Sequence, residues 1–277
     1  MNRRQCLALA MAMPSGARSQ TRAAWSLAVV PQFSSLDIHR DWVPLLERLE
    51  HDSGIRLELK SAATIPKFEA EVLAGQADFA YLNPYHQVMA HRAQGYLPMV
   101  RDSQPLSGIL VVRKDDPIRS VQELQGREVG FPAPNAFGAS LWMRALLAER
   151  EKVQIRPLYL QTHSNVYRQV VRGKTVAGGG IAHTLEQERD EVRAELRVLM
   201  ETPGAAPHPL SAHPRVPAEV RQAVTQTLLR LAASPATQPL LKAVHLPALM
   251  LADQARDYAP LERFRLERYV VLPTPGA

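Results

Sequence analysis

Apolar runs of strand length alternate with segments of helical period along most of this chain. Residues 25–30 (WSLAVV) form a continuous apolar run, as a buried strand requires. Asp37 can cap the next helix, in which Trp42, Leu45, Leu46 and Leu49 recur at helical spacing. Gly54 ends it, and residues 55–60 (IRLELK) alternate like a strand. A helix over 65–74, closed by Gly75, leads to a strand at 79–82, a helix to Ala93 and a strand at 97–101. This β-α-β-α-β-α-β order predicts a mostly parallel sheet flanked by helices.

A second unit of the same rhythm begins near Ser107. Strands are predicted at 107–113, 127–131, 155–160, 176–181 and 196–201, with helices at 136–149, from 162 to Arg172 and at 184–191. Asn135 is placed to cap the first of these helices. From Thr202 the prolines 203, 207, 209, 214 and 217 break up the chain around a short strand at 209–212. A long helix over 218–233 follows, so the segment reads as a return connection. The predicted architecture is α/β, in two successive units.

Composition changes the picture little. The chain has 277 residues, 46% of them hydrophobic, and a net charge of +6, enough for sizeable cores and a mildly basic surface. No basic block with interleaved aromatics occurs, so nucleic acid is not an expected partner. Cys6 is the only cysteine, which rules out an intrachain disulfide. Residues 1–24 read as an export signal: Arg3 and Arg4, the apolar run CLALAMAM, then small residues around Ala17 and Ala23. The expected location is outside the cytoplasm.

Candidate chemistry gathers at strand ends. In 77–86 (ADFAYLNPYH) a strand runs into Asn83-Pro84, which stops it and opens a helix. Tyr81, Asn83, Tyr85 and His86 therefore sit where open α/β sheets bind ligands. Two further loops, 134–140 and 162–165, have the same strand-turn-helix grammar and offer helix amino ends to an anion. Phe33, Tyr81, Tyr85 and Phe137 can line an aromatic pocket, with His86 and His163 beside it. His86 and His91 lack metal-ligand spacing, and His208 and His213 read as structural residues of the Pro-rich connection. No nucleophile elbow, paired acid and base, or phosphate loop is present, so neither cofactor nor catalysis is expected.

The runs GQADFAYLNPYHQV, LQGREVGFPAPNAFGASLWMRALL and THSNVYRQVVRGKTVAGGGIAHTLE resemble the phosphate/phosphite/phosphonate-type substrate-binding proteins of ABC transporters. The resemblance covers about 25–213. It implies a type 2 periplasmic-binding-protein fold of two lobes joined by two crossover strands, lobe 1 being 25–106 with 207–277 and lobe 2 being 107–206, with a ligand in the cleft, hinge closure, and a membrane permease with its ATPase as partner. It also implies that Tyr81 occupies the aromatic position of the first lobe and His163 the histidine opening the next helix. The helix-start motif falls on Asn135, Ala136, Phe137 and Gly138, where the family is rich in Ser and Thr. The run ending at Gly180 falls where many members carry an acidic residue.

These observations predict a periplasmic protein that binds a small anion between its lobes for uptake. Phe33, Tyr81, Asn83, Tyr85, His86, Asn135, Ala136, Phe137, His163, Ser164 and Gly180 are the expected ligand-binding residues. Two alternatives use the same scaffold: presentation of the ligand to a sensor kinase of the inner membrane, and, less favoured, an enzyme.

Overall fold

In the computed structural model, residues 24–271 are described, so all of the expected export signal except Ala24 lies outside them. The first unit runs β1 (Trp25–Val29), α1 (Ser35–Ser53), β2 (Leu57–Ser61), α2 (Ile65–Leu73), β3 (Phe79–Tyr81), α3 (Pro84–Gln94) and β4 (Leu97–Asp102). The chain then crosses into β5 (Gly108–Arg113), β6 (Glu128–Phe131), α4 (Met143–Glu149), β7 (Arg156–Tyr159), α5 (His163–Val171), β8 (Ala177–Ile181), α6 (Ala182–Glu186), α7 (Asp190–Ala194) and β9 (Leu196–Glu201). It returns through β10 (Pro209–Ala212), α8 (Ala218–Ala233), α9 (Gln238–Ala243) and β11 (Leu249–Leu251).

Two sheets result, ordered β11-β4-β10-β3-β1-β2 and β7-β6-β8-β5-β9. In each sheet most strands run in one direction, as expected, with β10 and β11 reversed in the first and β5 in the second. Strands joined through helices pair in parallel, as β1 does with β2 and β3, and β6 with β7 and β8. Strands that cross between the lobes or follow a crossing run antiparallel: β10 with β3 and β4, β11 with β4, and β5 with β8 and β9. The sequence pattern reports helical connections, and direction reverses where a connection changes sheets. The two crossing segments touch at one antiparallel bridge, Leu106 with Ala205, whose backbone N–H···O bonds measure 2.8 and 3.0 Å.

Helix ends follow their sequence signals. Ser34 accepts from the Asp37 N–H at the start of α1, and Gly54 closes the helix in the left-handed region at φ 70°. Thr64, Asn83 and Thr162 cap α2, α3 and α5. The predicted helix over 136–149 instead begins as a π-helical turn, Phe137–Trp142, before α4. Asn135 does not cap it; its amide is turned toward Glu69 and Val271. One hydrophobic core runs under the first sheet and across to Ala136, Phe137, Leu141, Trp142 and Ile181, so the lobes share packed side chains. Two smaller cores flank the second sheet.

The glycines of β8 explain how its helices lie so close. A Cβ on Gly178 would meet Val166 and Val170 of α5, one on Gly179 would lie 2.0 Å from the Ala139 carbonyl oxygen, and one on Gly180 would lie 2.0 Å from the Tyr167 hydroxyl. Among the described residues no helix is long and apolar enough to cross a membrane.

Candidate functional site

The cleft between the lobes contains three cavities. The innermost measures only about 10 Å³ and is lined by Val30, Ile65, Asn83, Leu106, Ala136, Phe137, Gly138, His163 and His208, among others. That is about the threshold for one water molecule. Phe137 fills much of this region, stacked on Trp142 with ring centroids 5.2 Å apart. His163 is buried with Nδ1 3.3 Å from the Thr184 hydroxyl, and burial pushes its pKa down to about 4. It is a neutral ring at pH 7.

Nearer the crossing segments lies a cavity of about 390 Å³. Phe33, Tyr81, Pro105, Pro207 and Pro247 form its apolar walls, and His183, His208 and His245 add imidazoles. Tyr81 ends β3, with its ring 5.0 Å from Trp42 and stacked 5.5 Å from His208. His208 is 6% exposed and its Nε2 has no hydrogen-bond partner among the described residues. Burial takes its pKa down to about 3. Among the described residues, Asp102 and Glu186 supply the only formal charges of the lining. Both oxygens of Asp102 are engaged, accepting from the Gln104 and Ala248 backbone N–H groups at 2.8 Å.

A third cavity, about 460 Å³, opens at the mouth and is lined by Phe33, Asp37, Arg40, Asp41, Ser164, Arg168, Thr184, Glu188, Arg189, Lys242 and His245, among others. Where it adjoins the second, His183 Nε2 and His245 Nδ1 lie 2.6 Å apart, a hydrogen bond between the lobes. Burial lowers both pKa values, that of His245 to about 4.

Of the residues expected from the sequence, Phe33 and Tyr81 line the 390 Å³ cavity, and Phe33 and Ser164 the 460 Å³ one. Asn83, Ala136, Phe137 and His163 surround the smallest. Tyr85, His86, Asn135 and Gly180 line none of the three. His86 Nε2 lies 2.6 Å from Glu69 Oε1, both side chains 2% exposed. Asn135 donates to Glu69 Oε2 at 2.9 Å, and the Asn83 amide donates to the Asn135 carbonyl at 3.1 Å. This network knits α2 and α3 to the start of the π-helical turn. Tyr85 is buried in the core, and Gly180 makes room for Tyr167. His183, His208 and His245 line the 390 Å³ cavity without being expected there from the sequence: His183 lies two residues past a strand end, a usable signal, His208 belongs to the Pro-rich connection, and His245 carries no motif. Among the described residues no group of three or more His, Cys, Asp or Glu is placed to hold a metal ion.

The profile of the family described as "ABC transporter, phosphonate, periplasmic substrate-binding protein" matches residues 27–258. The chain belongs to this family. Phosphonate-type periplasmic substrate-binding proteins are transport components rather than enzymes. A curated relative of the chain, the phosphate-import protein PhnD of Mycolicibacterium smegmatis, is 23% identical over 171 residues. That match spans 55% of this chain and 53% of the relative, about half its length. Two solved structures have the same two-lobed fold. PhnD1 of Prochlorococcus marinus in complex with methylphosphonate has a TM-score of 0.80 at 12% identity, over 89% of this chain and 99% of that one. A Xanthomonas citri protein bound to ATP has a TM-score of 0.75 at 17% identity, over 90% of this chain and 99% of that one.

Proposed function

We propose that this chain is the solute-binding component of an ABC uptake system, capturing a phosphorus oxyanion or related anionic solute between its lobes. The supporting observation is the cleft itself. Its 390 Å³ cavity lies beside the two crossing segments and is lined from both sheets, by Tyr81 and His208 on one side and Ile181 and His183 on the other. A ligand there touches both lobes and can couple its own binding to their closure. We take the lobes to be 25–106 with 207–277, and 107–206, with the crossing segments as hinge. The partner is then an inner-membrane permease, and the location periplasmic, after export directed by residues 1–24. Phe33, Tyr81, His183, His208 and His245 are the proposed contacts, with His163 and Ser164 at the edges.

Ligand binding to the folded state alone raises the melting temperature by mass action. A thermal-shift screen of phosphate, phosphite, methylphosphonate, larger organic phosphonates, sulfate and small carboxylates is expected to give a rise with phosphorus oxyanions that is lost in Tyr81→Ala. Small-angle scattering should show a smaller radius of gyration at saturation. A response confined to carboxylates or sulfate would reassign the solute, and no response to any anion would remove the binding reading.

A further inference from the structure

The cleft is divided by chemistry as well as by shape. Its inner 390 Å³ cavity and outer 460 Å³ cavity share Phe33, Thr184 and His245 as a common wall. The His183–His245 hydrogen bond crosses there, with Gln187 Nε2 3.2 Å from His183 Nε2 and 3.4 Å from His245 Nδ1. On the inner side are rings, prolines and two carboxylates, with no Lys or Arg. On the outer side Arg40, Arg168, Arg189 and Lys242 face Asp37, Asp41 and Glu188.

Ion pairs account for only part of that outer charge. Arg40 is held at 2.7 Å by both Asp37 and Asp41, and Glu188 lies 3.6 Å from Arg168. The side chains of Arg189 and Lys242 have no partner among the described residues. They come from opposite lobes, Arg189 from the start of α7 and Lys242 from the last turn of α9. The lining holds one more cation than carboxylate; because Asp37 and Asp41 share Arg40, Arg189 and Lys242 are the two not ion-paired, they repel each other, and an anion between them relieves that repulsion. The deep region offers no such place: its cavity of about 10 Å³ is closed by Phe137 and contains no Lys or Arg.

We propose that the outer cavity is an anion subsite, and that the ligand is an organic phosphate or phosphonate larger than methylphosphonate. Its tetrahedral oxyanion sits against Arg189 and Lys242. Its planar or apolar body reaches past His183 and His245 into the inner cavity, between Phe33 and Tyr81, where the unpartnered Nε2 of buried His208 meets a polar atom of that body. This rests on the anion-binding reading above and adds the shape of the ligand and the place of its charge.

Calorimetric titration of the purified protein with inorganic phosphate, methylphosphonate and phenylphosphonate tests it. Phenylphosphonate is expected to bind at least about tenfold more tightly than either small anion. The double variant Arg189→Ala/Lys242→Ala, two surface changes, should weaken phenylphosphonate by at least about tenfold and flatten its dependence on salt. Phe33→Ala should erase the preference for the phenyl group. Equal or tighter binding of the small anions, or unchanged affinity in the double variant, overturns the subsite while leaving the anion-binding function standing. Failure of all three anions to bind overturns both.

Discussion

Burial gives Asn135 a task that its sequence position does not announce. Its side-chain amide donates to Glu69 Oε2 and, at 2.8 Å, to the Val271 carbonyl, while its oxygen accepts from the Val271 N–H at 3.0 Å. Every polar atom of that side chain is satisfied within the protein, as a buried amide requires. Gly179 is constrained in the opposite sense, by lack of room. The atom that a Cβ would meet is a backbone oxygen, which cannot swing aside. Gly179→Ala is therefore expected to destabilise by roughly 1–3 kcal/mol, read as a lower urea midpoint at constant m-value. The glycine run was visible in the sequence, but the faces it opens to were not. Ala139 and residues of α5 occupy those faces, and no local pattern reveals which neighbour arrives. Phe33 and Tyr81 were legible because a strand's carboxyl end faces the cleft in this kind of fold. The His183–His245 contact was not, since it joins positions 62 apart in sequence from different lobes.

Among the elements, the π-helical turn Phe137–Trp142 and the chain's last described segment act together. Phe264 lies 5.0 Å from Trp142, Arg144 donates to both the Pro134 and Tyr269 carbonyls at 2.8 Å, and the Tyr269 hydroxyl donates to Glu149 at 2.9 Å. A segment that follows the first lobe's last strand thus straps the second lobe's α4. Ending the chain at Arg263 removes these contacts and the Val271 pair with Asn135. The expected result is a melting temperature lower by at least about 5 °C, measured by calorimetry; an unchanged transition would show that the strap carries no stability. Helix and strand positions in this region were largely readable from periodicity. The exceptions were β11 and the short turns beyond it, where prolines and three-residue elements leave too few positions to show a period.

For the whole molecule, acid sensitivity follows from two buried imidazoles and one half-buried one. His163 and His245 are pushed to about 4 and His208 to about 3, chiefly by burial, against an ordinary value near 6.5. The unfolded chain takes up protons that the folded one refuses, so stability is complete above about pH 6.5 and is lost as pH falls toward about 4. Each such group contributes a slope of roughly 1 kcal/mol per pH unit in that window. The melting temperature should hold between pH 7 and 8, decline below about 6.5, and decline less steeply in His208→Gln. A flat profile down to pH 4.5 would contradict the burial of these rings.

The strand order also bears on how the protein is made. β3 and β4 are neighbours in sequence but not in the sheet, because β10 lies between them, pairing Leu210 with Tyr81 on one side and with Val100 on the other. While a ribosome extends the chain through β9, the first sheet therefore exists only as two unjoined parts, and the whole second lobe must emerge before they can be bridged. The inserted lobe is free to fold first; the surrounding one closes last, with the exposed edges of β3 and β4 waiting in the interval.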